Sequence, residues 1–374
     1  MTVEQAARYT ICHDARAEAR IAADLRRIAS AIETELGPAL AGILLVGGYA
    51  RGEGSVVVRD GEAGPYNDYD LVALVRRPGG WVRRRLQRVA AEQTDRIGVD
   101  VDIWPVPVAE LARMPRTLFW LDASRGGARL VRGELSLAEV LPRRDPRMVP
   151  LEEAGRLLAN RAVGLALSNL ETRDEDRRRA RHVHKAVLAC GDALLLAADR
   201  YGATTTARLE ALEGLRDAPG VGPELVSAYR EAVRFRERPD CWRAPGDETE
   251  WYEAQRARIA RWHLAFEAWR VGSPEQPLAL ASHRAPLYPH APDLSPAAKG
   301  PTALWAAARR ETPLLPWVGH PRERLARAAV ALAYGPDEML CRVAAARLLG
   351  LRASQWADHV KLHAHLRALA ARGG

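Results

Sequence analysis

The first region of the chain has the periodicity of an amphipathic helix. Apolar residues recur at steps of three and four over residues 3–36, for example at Ile21, Leu25 and Ile28. Because an α-helix turns once every 3.6 residues, these side chains share one face, which we expect to pack into a core. Gly37 and Pro38 follow at once and predict the end of this helix.

Four short segments with the length of strands come next. Three are apolar runs, over residues 42–46, 71–75 and 99–104, and the fourth, over residues 126–133, has a turn at each end. A basic helix is predicted between the second and third runs, at about residues 81–94. Strands and helices that alternate in this way predict a sheet with helices packed on it.

Helical periodicity dominates the chain after Pro142 and Pro146, which mark a boundary. Proline recurs so often between residues 274 and 301 that we interpret this stretch as a linker or a long surface loop. The predicted division is a first domain over residues 1–147, a helical bundle domain over 148–273, the proline-rich linker or loop over 274–301 and a C-terminal helical region over 302–374.

Composition restricts the class of protein. With 374 residues, 48% of them hydrophobic, the chain has enough apolar material for sizeable cores. It has no apolar run long enough to span a bilayer, and its polar, acidic start lacks the pattern of a signal peptide. The four cysteines are widely separated and form no Cys-x-x-Cys pair, which predicts reduced thiols rather than disulfides or a zinc site. We therefore expect a cytoplasmic protein with no membrane partner, and its oligomeric state stays open.

The charge of the chain raises the question of a nucleic-acid partner. The 55 Lys and Arg residues exceed the 47 Asp and Glu residues, which leaves a net charge of +8. The arginines are nevertheless scattered and interleaved with acids, and only three lysines are present. Because no concentrated basic stripe results, a small molecule or a protein is favoured over a nucleic acid as the partner of this chain. A modest positive potential still favours the approach of triphosphates.

Residues suited to chemistry begin where the first apolar run ends, at Gly47 and Gly48. Paired glycines after a strand allow a sharp turn and a close approach of backbone N–H groups to phosphate oxygens. Asp68 and Asp70 lie two residues apart at the start of the next run, so both side chains are expected on one face of a strand. Two carboxylates held so close repel each other unless a cation lies between them, and Mg²⁺ prefers such oxygen ligands.

The third apolar run carries two more acids, Asp100 and Asp102, again on one face of a strand. A third carboxylate on an adjacent strand would allow two metal ions to bind, one activating an attacking hydroxyl and one stabilising a leaving pyrophosphate. Either aspartate can supply this group by its position in the strand, so both are candidate metal ligands.

In this combination the sequence resembles the DNA polymerase β-like nucleotidyltransferase superfamily over about residues 40–135. The signature of that family is an apolar strand ending in Gly-Gly or Gly-Ser, then an Asp-x-Asp or Asp-x-Glu pair, then a lone acid on a later strand. The Gly-Gly-Tyr-x-Arg-Gly-Glu form at Gly47–Glu53 is most similar to uridylyltransferases that modify nitrogen-signalling proteins, and Gly64–Asp68 is similar to aminoglycoside nucleotidyltransferases. The stretch over residues 55–64 is longer than in the simplest members, and Gly48 replaces the commoner serine.

The resemblance implies an α+β fold, with an N-terminal nucleotidyltransferase domain, a small mixed sheet flanked by helices, followed by an all-α helical region. It implies Mg²⁺-dependent transfer of a nucleoside monophosphate from an NTP to a hydroxyl of a small molecule or protein, with release of pyrophosphate. Asp68, Asp70 and Asp102 would be the catalytic carboxylates and metal ligands. Asp102 is preferred over Asp100 because the acid of the family is followed by two apolar residues and a loop, as in residues 102–105.

The residues that would bind the nucleotide are Gly47, Gly48, Arg51 and Lys185. Arg51 either binds the triphosphate or pairs with Glu53 to brace the loop. Lys185 is a candidate because helical domains after this catalytic fold commonly supply a lysine to the triphosphate, and lysine is scarce in this chain. It can equally be a surface lysine whose charge extends into solvent.

A function of another class stays open at this point. A non-catalytic protein of the same fold, such as an antitoxin-like or regulatory protein, would use the scaffold to bind a nucleotide or another protein. The motif residues alone do not separate this alternative from an enzyme.

Overall fold

A computed structural model describes residues 8–77, 79–168, 178–216, 221–270, 272 and 321–335. These described residues form two compact units. The first unit contains the described parts of Met1–Pro150, Ala198–Gly214 and Arg230–Arg243, and the second contains those of Leu151–Ala197, Leu215–Tyr229 and Ala244–Gly374. Helices and a small mixed sheet make the protein α+β, as predicted.

The strands and helices have the following bounds. The strands are β1 (Leu40–Val46), β2 (Val56–Arg59), β3 (Glu62–Pro65), β4 (Tyr69–Val75), β5 (Val101–Pro107) and β6 (Ala128–Arg132). The helices of the described residues are α1 (Ala15–Leu36), α2 (Gly48–Arg51), α3 (Gly80–Ile97), α4 (Leu118–Asp122), α5 (Leu137–Val140), α6 (Glu152–Ser168), α7 (Arg178–Ala197), α8 (Thr205–Glu213), α9 (Gly222–Glu237), α10 (Glu248–Arg270) and α11 (Pro321–Tyr334).

Four of the strands form one mixed sheet in the order β5-β4-β1-β6. The central strand β1 is antiparallel to β4 and β6, whereas β4 and β5 are parallel. All four predicted strand segments are therefore confirmed. The hairpin of β2 and β3 was not predicted, and it occupies most of the long stretch over residues 55–64.

The two faces of this sheet bury different sets of side chains, because successive residues of a strand point to opposite sides. One face packs on α1 and α3 through side chains such as Leu45, Leu71 and Ile103. The other face packs on α4 and the segment before it through side chains such as Val46, Val72 and Val106. Asp70 and Asp102 are separated from Val72 and Val106 by even numbers of residues along β4 and β5, so both aspartates point to this second face.

Helix α1 begins at Ala15, and the prediction that it starts near residue 3 is wrong for residues 8–14. The Asp14 side chain caps the helix by accepting hydrogen bonds from the backbone N–H groups of Arg16 and Ala17. Before this cap the chain is extended, because Tyr9 and Ile11 form backbone hydrogen bonds with Gly54. The Asp14 cap and the backbone pairing with Gly54 thus set the start of the helix, although the apolar periodicity of the sequence continues on both sides of Asp14. The predicted end of the helix at Gly37, which has a φ of 50°, is confirmed.

The compact units differ from the predicted division of the chain. The boundary predicted after residue 147 lies close to Pro150, where the first continuous segment of the first unit ends. Residues 198–214 and 230–243, however, were predicted to belong to the helical domain over 148–273, and they pack in the first unit instead. The second unit contains α6, α7, α10 and α11.

Two further predictions concern regions that are described little or not at all. The proline-rich stretch 274–301 lies outside the described residues, and of the C-terminal region 302–374 only 321–335 are described.

Among the described residues, no helix is both long and apolar enough to cross a membrane.

Candidate functional site

Three aspartates meet at one end of the sheet in the first unit. Asp70 of β4 lies directly opposite Asp102 of β5 in the parallel register, and Asp68 immediately precedes β4. Because side chains two residues apart share a face, Asp68 is directed to the same side as Asp70. We call Asp68, Asp70 and Asp102 the aspartate group.

The geometry of the aspartate group suits a divalent cation. One carboxylate oxygen from each of the three residues lies within 4.8 Å of the others. Asp68 and Asp70 are half-buried, whereas Asp102 is exposed. Hard divalent cations are bound by carboxylate oxygens, and Mg²⁺ keeps several further positions for water and phosphate. The group could therefore hold a metal ion.

Like charges surround the Asp102 carboxylate. Partial burial, then the charges of Asp68 and Asp100, raise its pKa above the ordinary value for an aspartate. A site that disfavours its own negative charges in this way gains from a bound cation.

Asp100 takes a different position from Asp102. Its side chain is exposed and does not belong to the aspartate group. Its backbone carbonyl accepts a hydrogen bond of 2.9 Å from the N–H of Tyr69, which connects the start of β5 to β4. Of the two candidates for a third carboxylate, the structure brings Asp102 to Asp68 and Asp70.

Gly47 forms a sharp turn directly beside the aspartate group. Its φ of +81° lies in the left-handed region, and its N–H donates a hydrogen bond of 3.1 Å to the carbonyl of Gly127. A Cβ at this position would lie 3.0 Å from Oδ2 of Asp70. Glycine is thus required at residue 47 by its backbone conformation and by the closeness of Asp70.

Gly48 begins the single turn of α2, and its surroundings are also close. A Cβ on Gly48 would lie 3.4 Å from a guanidinium nitrogen of Arg236. The Gly48 carbonyl accepts a hydrogen bond of 2.9 Å from the N–H of Glu53, which closes the turn. Gly47 and Gly48 together form what we call the glycine turn.

Tyr49 connects the glycine turn to the segment that leads into the aspartate group. Its buried hydroxyl accepts hydrogen bonds of 3.1 Å from the N–H groups of Tyr66 and Asn67 and donates one of 3.1 Å to the carbonyl of Ser55. Burial raises the pKa of this hydroxyl well above its usual value. Because Asn67 directly precedes Asp68, the Tyr49 hydroxyl fixes the approach of the chain to the aspartate group. This role was not predicted.

Arg51 pairs with acids of its own unit. Its Nε lies 2.9 Å from Oε2 of Glu53, and its Nη1 lies 3.4 Å from Oδ2 of Asp122. Only 11% of the Arg51 side chain is exposed. Of the two roles predicted for Arg51, the structure contains the pairing with Glu53. Desolvation, the largest influence, acts to lower the pKa of Arg51, but the charges of Asp122 and Glu53 hold it above the ordinary value.

These ion pairs continue into segments that are distant in the sequence. Arg208 of α8 binds Asp122 at 3.2 Å, and Arg236 of α9 donates to the Glu53 carbonyl at 3.0 Å. Thr205 donates to the Glu53 carboxylate from its N–H and its hydroxyl. We call Arg51, Glu53, Asp122, Arg208 and Arg236 the buried ion network. It explains why residues 198–214 and 230–243 pack in the first unit.

The charge balance of this network is visible at Glu53. Burial, the largest influence, acts to raise the pKa of its carboxyl. The charges of Arg236 and Arg51 and the hydrogen bond from the Thr205 N–H outweigh it, so the pKa lies below the ordinary value. Glu53 is therefore held as a carboxylate by opposite charges.

Lys185 lies on α7, in the second unit, where it is half-buried. Its charge acts on His182 of the same helix: burial, followed by the charges of Arg181 and Lys185, lowers the pKa of His182 to about 3. The assignment of Lys185 to a nucleotide stays a prediction.

A scan against models of protein families, a search of curated proteins and a search of solved structures each found no match to this chain.

Proposed function

We propose that the protein is a Mg²⁺-dependent nucleotidyltransferase that moves a nucleoside monophosphate from an NTP to a hydroxyl group. The observation that carries this proposal is the aspartate group, whose three oxygens lie within 4.8 Å of one another beside the glycine turn. A cluster of carboxylates next to a glycine backbone that phosphates can approach closely meets two requirements of this reaction. One is binding of a metal ion, and the other is binding of phosphates.

Mg²⁺ fits this site by the chemistry of its donors. Asp68, Asp70 and Asp102 would bind it, and the bound metal supplies charge stabilisation for the phosphates and activation of the attacking hydroxyl. Partial burial, then the charges of Asp68 and Asp100, raise the pKa of Asp102, and a site that disfavours this negative charge favours binding of a cation.

The reaction is a displacement at the α-phosphorus of the NTP. The oxygen of the acceptor hydroxyl forms a bond to this phosphorus, and the bond to the oxygen that bridges to the β-phosphate breaks. Pyrophosphate leaves with the electron pair of that bond. Asp102, the exposed member of the aspartate group, would accept the proton of the hydroxyl.

The glycine turn would bind the phosphates that leave. Gly47 and Gly48 carry no side chains, so the phosphate oxygens can approach their backbone closely. Arg51 is engaged with Glu53 and Asp122, and we assign it the role of bracing this turn. Arg236 contributes to the same bracing, since it donates to the Glu53 carbonyl while the Glu53 N–H donates to Gly48.

Four assays with α-³²P-labelled ATP, GTP, CTP or UTP test this function. Each mixture contains Mg²⁺, the full chain and a panel of hydroxyl-bearing small molecules and proteins. We expect pyrophosphate release with at least one NTP and transfer of label to an acceptor. Both should disappear in Asp70→Asn, which removes a charge from the centre of the aspartate group without a change in size.

Three outcomes would decide against the proposal. Nucleotide binding without pyrophosphate release for any NTP or acceptor would favour the non-catalytic binding protein. An absence of nucleotide binding would exclude the transferase. Pyrophosphate release that persists in Asp70→Asn would show that another site is responsible.

A further inference from the structure

Two aromatic side chains of the first unit form a pair at the edge of the sheet. The rings of Trp104 on β5 and Phe119 on α4 have centroids 6.1 Å apart and an interplanar angle of 79°, an edge-to-face arrangement. Trp104 is half-buried and packs against the core of the second face, whereas Phe119 is 41% exposed.

Helix α4 directs Phe119 outward although its neighbours point inward. Leu118, Trp120 and Leu121 are all buried, and Trp120 belongs to the core that Trp104 also contacts. The Phe119 ring makes edge-to-face contacts with Trp104 and Trp120, with centroid distances of 6.1 and 5.0 Å. The pair therefore leaves an aromatic surface that the packing of the unit does not use.

Trp104, one member of this pair, lies close along β5 to the carboxylate that we assign to the acceptor hydroxyl. Asp102 and Trp104 are two residues apart on β5, so their side chains share one face of the strand. Two residues of a parallel strand span about 6.6 Å. A molecule with a hydroxyl at Asp102 can thus reach Trp104 with a ring attached a few bonds away.

The order of the strands indicates which substrate would reach this pair. The glycine turn follows β1, Asp70 lies on β4 and Asp102 lies on β5, in the order β1-β4-β5 across the sheet. The attacking and leaving oxygens of a phosphoryl displacement lie on opposite sides of the phosphorus. If the pyrophosphate leaves at the glycine turn, the acceptor enters from the side of β5, where the aromatic pair is located.

We propose that Trp104 and Phe119 form an acceptor subsite for a planar aromatic ring of a hydroxyl-bearing substrate. This inference rests on the proposed function for the direction of the reaction. Stacking on a tryptophan or phenylalanine ring favours flat aromatic groups, and an exposed aromatic at the mouth of a site provides such a surface without a change in the fold.

Two glucosides that differ by one ring test the subsite. 4-Nitrophenyl β-D-glucoside and methyl β-D-glucoside carry the same sugar hydroxyls, and only the first has an aromatic ring. Binding of each to the full chain is measured by isothermal titration calorimetry with Mg²⁺ and without nucleotide, so that the result does not depend on turnover. We expect the nitrophenyl compound to bind about tenfold more tightly.

Three variants locate this preference. Phe119→Ala should remove it, so that the two glucosides bind within about twofold of each other. Phe119→Tyr retains a ring and should keep the preference. Trp81→Ala should also keep it, and it is a matched control because Trp81 is another exposed aromatic, at 43%, on a different helix of the same unit.

The possible results separate this inference from the proposed function. Equal binding of the two glucosides, undetectable binding of both, or a preference that survives Phe119→Ala would overturn the subsite. The same holds if Phe119→Ala weakens binding of the NTP instead, because the pair would then bind the base. An inactive protein that still prefers the nitrophenyl compound would contradict the transferase and retain the aromatic subsite.

Discussion

Two sets of acidic side chains in the first unit have opposite surroundings. In the buried ion network, Glu53 and Asp122 lie against arginines, and the pKa of Glu53 is lowered despite its burial. In the aspartate group, Asp102 lies beside Asp68 and Asp70, and partial burial followed by the charges of Asp68 and Asp100 raises its pKa. The two sets are brought together by the glycine turn, which contacts Asp70 on one side and Glu53 on the other.

This difference separates a structural role from a binding role. A carboxylate whose charge is balanced within the protein stabilises the fold, and its removal leaves a buried arginine without a partner. Carboxylates that repel one another reduce the stability of the unit until a cation binds. The predictions below use this contrast. Replacing a carboxylate by its amide should lower the stability of the protein in the buried ion network and raise it in the aspartate group.

The largest expected effect is on turnover. Asp102→Asn removes one carboxylate from the aspartate group, and we expect pyrophosphate release to fall on the order of 10³-fold. Asp100→Asn removes the same charge two residues away, outside the group, and should change the rate by less than about threefold. Steady-state pyrophosphate release measures both. Similar losses for the two variants would refute the choice of Asp102 as third carboxylate.

The second effect is on stability and concerns the buried ion network. Glu53→Gln leaves the guanidinium of Arg51 buried without its nearest charge partner, so we expect a loss of about 3 kcal/mol in the free energy of unfolding. Urea denaturation at pH 7 measures it. The control is Glu33→Gln, whose partner Arg132 is exposed, and it should lose less than about 1 kcal/mol.

The pH dependence of this loss follows from the lowered pKa of Glu53. A carboxyl whose pKa is lower in the folded state stabilises the protein above its unfolded pKa, near 4.5, and that contribution disappears as the pH falls through the folded pKa. The difference between wild type and Glu53→Gln should therefore shrink below pH 4.5. A difference that stays constant down to the acid transition would contradict an electrostatic origin.

A smaller effect tests the contact between the glycine turn and Asp70. Gly47 and Gly61 have nearly the same φ, +81° and +80°, but a Cβ meets Asp70 only at Gly47, and at Gly61 it meets nothing within 4 Å. Gly47→Ala and Gly61→Ala should both lose about 1 kcal/mol of stability through backbone strain. Only Gly47→Ala should also weaken Mn²⁺ binding, by about tenfold, because it displaces the Asp70 carboxylate. Metal affinity is measured by calorimetry. Equal affinities of the two variants would show that the glycine turn does not position the Asp70 carboxylate for metal binding.

The smallest effect has the opposite sign to that at Glu53. With EDTA present, Asp102→Asn should stabilise the protein at pH 7 by less than about 1 kcal/mol, since it removes a charge that partial burial and the neighbouring carboxylates disfavour. A carboxyl whose pKa is raised in the folded state loses stability as the pH rises through that pKa, so the gain should vanish in acid. Destabilisation by Asp102→Asn under these conditions would contradict the repulsion within the aspartate group.

The aspartate group and the glycine turn could be predicted because they depend on local spacing. Strand alternation converts the two-residue spacing of Asp68 and Asp70 into a shared face, and the turn after β1 requires glycine for its backbone. The parallel pairing that brings Asp102 to Asp70 was expected only in outline, since the sequence contains two aspartates on the third strand. The register of β4 and β5 decides between them.

Of the buried ion network, only the pairing of Arg51 with Glu53 could be predicted, because the other partners are far apart in the sequence. Glu53 and Thr205 are separated by 152 positions, and arginine is so frequent that no single one stands out as the partner of an acid. The role of Tyr49 was hidden for a related reason. A tyrosine in the motif does not reveal that its hydroxyl accepts hydrogen bonds from Tyr66 and Asn67. Long-range contacts of this kind also explain why the predicted domain boundaries differ from the compact units.

Metal binding by the aspartate group is the central claim, and Mn²⁺ titration followed by electron paramagnetic resonance tests it most directly. The signal of free Mn²⁺ is recorded as wild type or Asp70→Asn is added, with Asp100→Asn as the control of equal charge change. We predict that wild type and Asp100→Asn reduce the free signal alike, and that Asp70→Asn binds Mn²⁺ at least about tenfold more weakly. Equal binding by all three proteins, or no binding by wild type, would contradict the assignment of this site.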